Sequence, residues 1–212
     1  GEKLKEKGHM LQTYNPNDIA EFQIMLQSTG KWFTDNDGNA DFTNNDALKE
    51  CYDIFKKLNE SDFCQVVSDW TGFAGAINNG DVACVMRGSW ITSTIMGADD
   101  QSGKWKMAPV PKMSTDGATH YSNQGGSSWF VLKNSKNADA AAKFLADTFG
   151  GSTELYDSLM KSNNIIGTYL PAADIEAVNT ESEFFSGQQI NKTLVDWEAQ
   201  IPSVNTGAFS AE

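Results

Sequence analysis

Between Asp69 and Trp90 the chain runs DWTGFAGAINNGDVACVMRGSW, and the order of signals in that stretch decides the fold. Phe73, Ala76 and Ile77 recur at helical spacing, and Asn79-Gly80 is a helix stop. The run Val82 to Met86 then reads as a short apolar strand, closed by Arg87-Gly88-Ser89-Trp90. Helix, turn, strand and a tryptophan just beyond the strand's end is an α/β arrangement. Ligand crevices in open α/β sheets form outside strand ends. A tryptophan there offers a flat apolar face to a ring-shaped ligand, which points to binding rather than catalysis.

Working outward, the same alternation continues. Lys3 to Lys7 reads as the tail of a helix closed by Gly8, and Leu11 to Tyr14 as a short extended piece. Asn17 or Asp18 is placed to cap a helix, with Glu21 in capping-box position and Ile19, Phe22, Met25 and Leu26 on the inner face. Lys31 to Phe42 reads as a hairpin around Asp35-Asn36-Asp37-Gly38. Asn45 or Asp46 opens a helix buried through Leu48, Cys51, Tyr52, Phe55 and Leu58, and Ser89 to Met96 begins another. Lys106 to Val110 and Ser128 to Leu132 are apolar strand candidates. Helices are expected near 138–149 and 153–162, and a mostly helical segment from Pro171 to about Glu198 with a break at Gly187. Strands interleaved with helices give an α/β fold with mixed sheets.

Composition narrows the function. The 212 residues are 40% hydrophobic and 21% charged, an ordinary globular balance, and the net charge of −12 argues against a nucleic-acid partner. No run approaches the length of a membrane span, and the charged opening Gly1 to Lys7 does not read as a leader. Cys51, Cys64 and Cys84 lack metal-ligand spacing; Cys51 and Cys84 read as small buried hydrophobes, and a Cys51–Cys64 disulfide stays open. Asp35, Asp37, Asn39 and Asp41 fall at calcium-loop spacing. Ala40 stands where the loop glycine belongs, however, so a solvated turn is expected. His9 and His120 have no partner at recognisable spacing, and no nucleotide, hydrolase or metalloprotease motif is present. No enzyme activity, cofactor or metal is expected.

The opening stretch also resembles the F-x-x-G-x-A-M-x-x-G-x-W signature of extracellular solute-binding proteins that feed ABC sugar importers, the maltose-binding-protein-like family. Ile77 stands at the first apolar position, Gly80 at the first glycine, Ala83 and Gly88-Ser89-Trp90 match, and Cys84 replaces the usual Met. Lys106 to Pro111 resembles the family's apolar-Pro-x-Pro strand, Gly125 to Leu132 its Gly-Gly crossover strand, Ser135 to Leu145 its S-K-N-P-E-A-A helix start, and Leu170-Pro171-Ala172 its late L-P-A. The resemblance implies a periplasmic-binding-protein-like type II fold of two lobes, largely the C-terminal lobe with a partial return into the N-terminal one. Residues 1–122 would form the second lobe, 123–170 crossover strand and helices of the first, and 171–212 a return to the second, most of the first lobe preceding Gly1. It further implies a carbohydrate ligand, ABC permease subunits as partners, and an extracytoplasmic location, as a cell-surface lipoprotein or in a periplasm. A polyamine or anion binder of the same fold, a glycoside hydrolase, and an interaction domain without a small ligand are the rivals.

Sugars are held by aromatic faces, with amides, hydroxyls and carboxylates fixing orientation. Trp90 matches a tryptophan that stacks on sugar in the family, against the plainer reading of a residue packing a junction. Trp70 sits where the family often has a cleft-facing aromatic, and Asp69 beside it could accept from sugar hydroxyls or simply cap the next helix. Gly125 and Gly126 match the point where the family's chain recrosses between lobes at the cleft floor. Tyr121, Asn123 and Ser127 are polar candidates nearby. Asn15 and Asp18 precede the helix that faces the cleft in the family, and Phe209 matches a region that often supplies a late aromatic.

Overall fold

The backbone is built around one short strand, β1 (Gln12–Tyr14), whose Thr13 is buried. A computed structural model describes residues 1–206. On one side β1 pairs in parallel with β2 (Cys64–Val66), Gln12 opposite Cys64 and Tyr14 opposite Val66. On its other side Met10 pairs in parallel with Val82: the Met10 amide donates to the Asp81 carbonyl at 2.8 Å, and the Ala83 amide to the Met10 carbonyl at 3.0 Å. The strand expected over Val82 to Met86 ends almost where it starts. The Cys84 amide donates to the carbonyl of Leu11 rather than continuing the alternate pattern, a one-residue slip that breaks the ladder.

Helices cover this core. They are α1 (Glu2–Lys5), α2 (Ala20–Ser28), α3 (Asp46–Glu60), α4 (Trp70–Asn78), α5 (Thr92–Ile95), α6 (Ala138–Asp147), α7 (Thr153–Asn163) and α8 (Ile190–Glu198). The Asn45 side chain caps α3, accepting from the Leu48 amide at 3.1 Å, and its amide nitrogen donates to the Trp32 carbonyl at 2.7 Å. Ahead of α2, Asp18 accepts from the Ala20 amide at 2.9 Å, but Glu21 does not close a capping box: it is buried and points at Arg87.

Three apolar clusters form. Val67, Phe73, Ile77, Val82, Ile91 and Ile95 meet Phe184, Phe185 and Ile190. Leu26 and Met25 of α2 meet Ala47 and Cys51 of α3 together with Met113 and Ala118. Tyr156 and Met160 of α7 meet Ala172, Ala177 and Val178. Three positions expected to be buried are exposed instead: Ile19 precedes α2 rather than lying on its inner face, Tyr52 stands on the outer side of α3, and Cys84 lies beyond the slip in the ladder. All three cysteines are free. Burial, with a smaller push from neighbouring Glu50, raises the Cys51 thiol to about 12, so it stays a protonated core residue.

The other two expected strands are extended without a ladder. At Met107 the partner is a side chain: the Gln188 amide donates to the Met107 carbonyl at 3.0 Å and accepts from its amide at 2.8 Å. Over 128–132 the described backbone joins no ladder, and Trp129, Phe130 and Leu132 are exposed; α6 beside it buries no residue. After Pro171 the chain makes two short 3-10 turns, Leu170–Asp174 and Glu176–Asn179, rather than a long helix. Adjacent Phe184 and Phe185 both enter the core through the turn closed by the Ser182–Gln188 bridge, with Gly187 at φ +78. Neighbouring residues on a helix diverge by about 100° and would not share one core so readily.

Glu50 of α3 ties down the loop that carries Met113 and Ala118. Its carboxylate accepts from the Ser114 amide at 2.6 Å, the Thr115 amide at 3.0 Å and the Thr115 hydroxyl at 2.7 Å. Burial pushes its pKa up, but these hydrogen bonds outweigh it and hold the group below its ordinary 4.5. The folded value is the lower one, so the contribution is complete above the ordinary value and is lost as pH falls through the folded value. Urea midpoints taken from about pH 6 down to about pH 3 are expected to fall less steeply in Glu50→Gln than in the parent; superimposable profiles would remove this role.

Candidate functional site

The apolar segment after Gly80 delivers Arg87 and the turn Gly88–Trp90 to the N-terminal end of α4. Asp69 caps that helix, its carboxylate accepting from the Gly72 amide at 2.8 Å. This places Trp70 in the first turn of α4, with Phe73 one turn further along. Their rings stack at 5.4 Å and 21°, and Trp90 lies against Trp70 at 5.7 Å and 43°. Phe73 is buried, whereas Trp70 is 52% and Trp90 39% exposed, so the row is anchored at one end and presents apolar ring surface at the other. An aromatic pair this open is a platform for a ligand with an apolar face.

Arg87 supports the platform from behind. Its guanidinium lies 4.7 Å from the Phe73 ring centroid, bonds Glu21 Oε1 at 2.6 Å and Asp18 Oδ2 at 3.1 Å, and is 3% exposed. Glu21 Oε2 is buried without a hydrogen-bond partner. Asp18 therefore spends one oxygen on the α2 amide and the other on Arg87. The cluster sets one cation against two carboxylates: Arg87 is fully engaged, and the spare Glu21 oxygen is buried.

In front, Gln124 clasps the turn. Its Oε1 accepts from the Gly88 amide at 3.0 Å and from Trp90 Nε1 at 3.2 Å. Gly125 follows at φ +88 and Gly126 at φ +102, backbone that side-chain-bearing residues rarely adopt. A Cβ on Gly125 would sit 3.2 Å from Trp90 Nε1, so the crossover backbone runs directly past the indole. Of the residues singled out from the sequence, Trp70, Trp90, Asp69, Gly125 and Asp18 come together here. Tyr121 instead rests on Trp197 at 5.9 Å, Gly126 and Ser127 are exposed beyond the turn, and Asn123 donates to the Gly125 carbonyl at 3.3 Å. Phe209 lies outside the described residues. Among the described residues no cluster of His, Cys, Asp or Glu could hold a metal, and Asp35 spends its carboxylate on the Asn39 and Asp37 amides of its own turn. Arg87, Glu21 and Gln124 escaped the sequence reading. An arginine closing an apolar run and a glutamine preceding Gly-Gly were the available signals.

The aromatic platform is open rather than a pocket. Two concavities of the described chain lie elsewhere, one lined by Gly1 to Lys3 and Phe63, another by Phe22, Phe42 and Tyr52 beside α3. The second sets its rings beside Thr43, Asn45, Asp46 and Lys49, but Asn45 is spent on the α3 cap and the Trp32 carbonyl, and Lys49 faces Asp53. The motif residues converge instead on the Trp70–Trp90 pair, which is therefore the candidate site.

The profile of bacterial extracellular solute-binding proteins matches residues 1–186. The chain belongs to that family. A lactose-binding protein of Rhizobium radiobacter is 36% identical over the whole of this chain, which covers 50% of that relative. A crystal structure of an extracellular solute-binding protein of family 1 superposes with a TM-score of 0.66 at 16% identity, over 97% of this chain and 50% of the other. The chain thus spans about half the length of the relatives it matches, and its mixed helix and sheet is part of the solute-binding-protein fold. A family of extracellular solute-binding proteins is what the sequence motifs resembled.

Proposed function

We propose that this chain is part of the binding component of an ABC importer for a sugar, and that it supplies one wall of the ligand cleft. The carrying observation is the open Trp70–Trp90 pair, anchored by Phe73 and backed by Arg87. The cluster behind it holds one cation, already paired, against two carboxylates, which disfavours an anion and falls short of the several carboxylates a polyamine would need. The similarity to a lactose-binding protein of Rhizobium radiobacter supports the same class.

Residues 1–122 and 171–212 would belong to one lobe and 123–170 to the other. Packing of Phe184, Phe185 and Ile190 on Ile77 and Ile91 supports the return, and the uncovered Trp129, Phe130 and Leu132 support a neighbouring strand in the rest of the protein. Closure of the two lobes on ligand would then present a surface to permease subunits, and the ligand would act by binding the closed state more tightly. A lipid anchor on the parent protein fits this location.

The test is a thermal-shift panel on the full-length parent, with lactose, other oligosaccharides, polyamines and phosphate. Lactose or a related sugar is expected to raise the melting temperature with occupancy. Trp90→Ala is expected to weaken that sugar about 30-fold, the effect of removing a residue worth about 2 kcal/mol at the centre of a site. A shift with polyamines or phosphate but with no sugar would overturn the ligand class.

A further inference from the structure

Gln124 has one half of its amide committed and the other half unspent. Both groups bonded to Oε1, the Gly88 amide and the Trp90 indole N–H, are donors and nothing else. Flipping the amide would set NH2 against two N–H groups, so the orientation follows from chemistry. Nε2 therefore points away from the turn, and it has no hydrogen-bond partner among the described residues. Gln124 is half-buried, its side chain is held by the two bonds to Oε1, and its carbonyl oxygen packs so close to Gly88 that a Cβ there would lie 2.2 Å from it. The result is an amide NH2, with two N–H donors, set beside the N–H edge of the Trp90 indole.

Resting on the reading of the platform as a sugar site, we infer that Gln124 is a ligand-binding residue, its Nε2 donating to a hydroxyl or ring oxygen of the sugar stacked on Trp90. Ring faces alone discriminate poorly between sugars, because each has an apolar side. A donor held at fixed distance from the ring selects the sugar that places an oxygen there. The bond to Oε1 polarises the same amide, so orienting the indole and reading the ligand are properties of one side chain.

Glu separates the two halves. Gln124→Glu keeps acceptors for Gly88 and Trp90 and removes the NH2 donors; Gln124→Met removes both. The experiment uses the full-length parent with lactose and a set of monodeoxy lactoses, binding measured by calorimetry and the unliganded melting temperature recorded for each variant. Gln124→Glu is expected to melt like the parent yet bind lactose about tenfold more weakly, the loss of one neutral hydrogen bond. One monodeoxy lactose is expected to lose about tenfold against the parent and less than about twofold against Gln124→Glu, because the partner is already gone. Gln124→Met is expected to lower both the melting temperature and the affinity. Equal affinity of Gln124→Glu and the parent, or the same deoxy losses in both, would leave Gln124 a structural clasp and overturn the inference. Failure of the parent to bind any sugar would overturn this inference together with the reading beneath it, an outcome recognisable before any variant is made.

Discussion

Arg87→Met is expected to destabilise the protein by about 3–5 kcal/mol, the cost of removing one partner from a buried ion pair. Met fills much of the volume of the arginine stem, so the loss is not chiefly one of packing. It arises because Glu21, 4% exposed, already carries one unpartnered oxygen and would lose the guanidinium that satisfies the other. Asp18 and the Phe73 ring lose the same partner, which loosens the start of α2 and the back of the aromatic row together. The double variant Glu21→Gln with Arg87→Met is expected to recover a large part of the loss, since no unpaired charge then remains buried. Urea unfolding of the four proteins of that cycle measures it. A loss under about 1 kcal/mol in Arg87→Met would mean that water reaches Glu21 in solution, contrary to its placement here.

Gly88→Ala is expected to do the greatest harm to binding. The backbone at Gly88 is extended, φ −64 and ψ 166, a conformation any residue adopts, so no strain of dihedral angle is involved. The obstacle is space. A methyl group at this position would sit 2.2 Å from the Gln124 carbonyl oxygen and 2.8 Å from Trp90 Nε1. The first of these belongs to the backbone and cannot rotate away. The turn must open, separating Trp90 from Gln124 and breaking both bonds to Oε1. Overpacking of this kind costs about 1–3 kcal/mol of stability. On the proposed sugar reading, affinity loses the stacking face and the amide donor together, roughly 3.4 kcal/mol or about 300-fold. Titration calorimetry on the full-length parent checks it; binding within about threefold of the parent would show that the turn accommodates a side chain.

Much of the helical part of the fold was legible, because it is written locally. Asn45 caps α3 and Gly80 at φ +73 follows α4, as their residue types foretell, and α6 and α7 begin at the expected residues. The strands were less legible because a ladder depends on its partners. Val82 to Met86, Lys106 to Val110 and Ser128 to Leu132 carry equally apolar patterns. Only the first of these enters a ladder, and that for a short distance; the second finds the Gln188 side chain and, at its end, the His120 carbonyl, and the third makes only a local turn bond, from the Ser135 amide to the Leu132 carbonyl, among the described residues. The same distinction divides the candidate site. Trp70 and Trp90 announce themselves by residue type and by place in a motif. Arg87 and Glu21 acquire meaning only when α2 and the end of an apolar run 66 positions away are brought within 2.6 Å. Gln124 acquires it only when the crossover passes the indole. Such pairings leave no periodicity in a single sequence.

The parallel pairing of β1 also sets a timetable. An antiparallel strand finds its neighbour across a short turn, but Gln12 waits for Cys64, and Met10 waits for Val82. During synthesis at about 5–20 residues per second, β1 would leave the ribosome several seconds before its second neighbour exists. Until then its edge is open and its buried threonine is wet. Helix formation in α2 and α3 is faster by orders of magnitude and completes within that interval. The sheet therefore closes after α2 and α3 have formed, and the core around Ile77 and Val82 is sealed later still, when Phe184, Phe185 and Ile190 arrive.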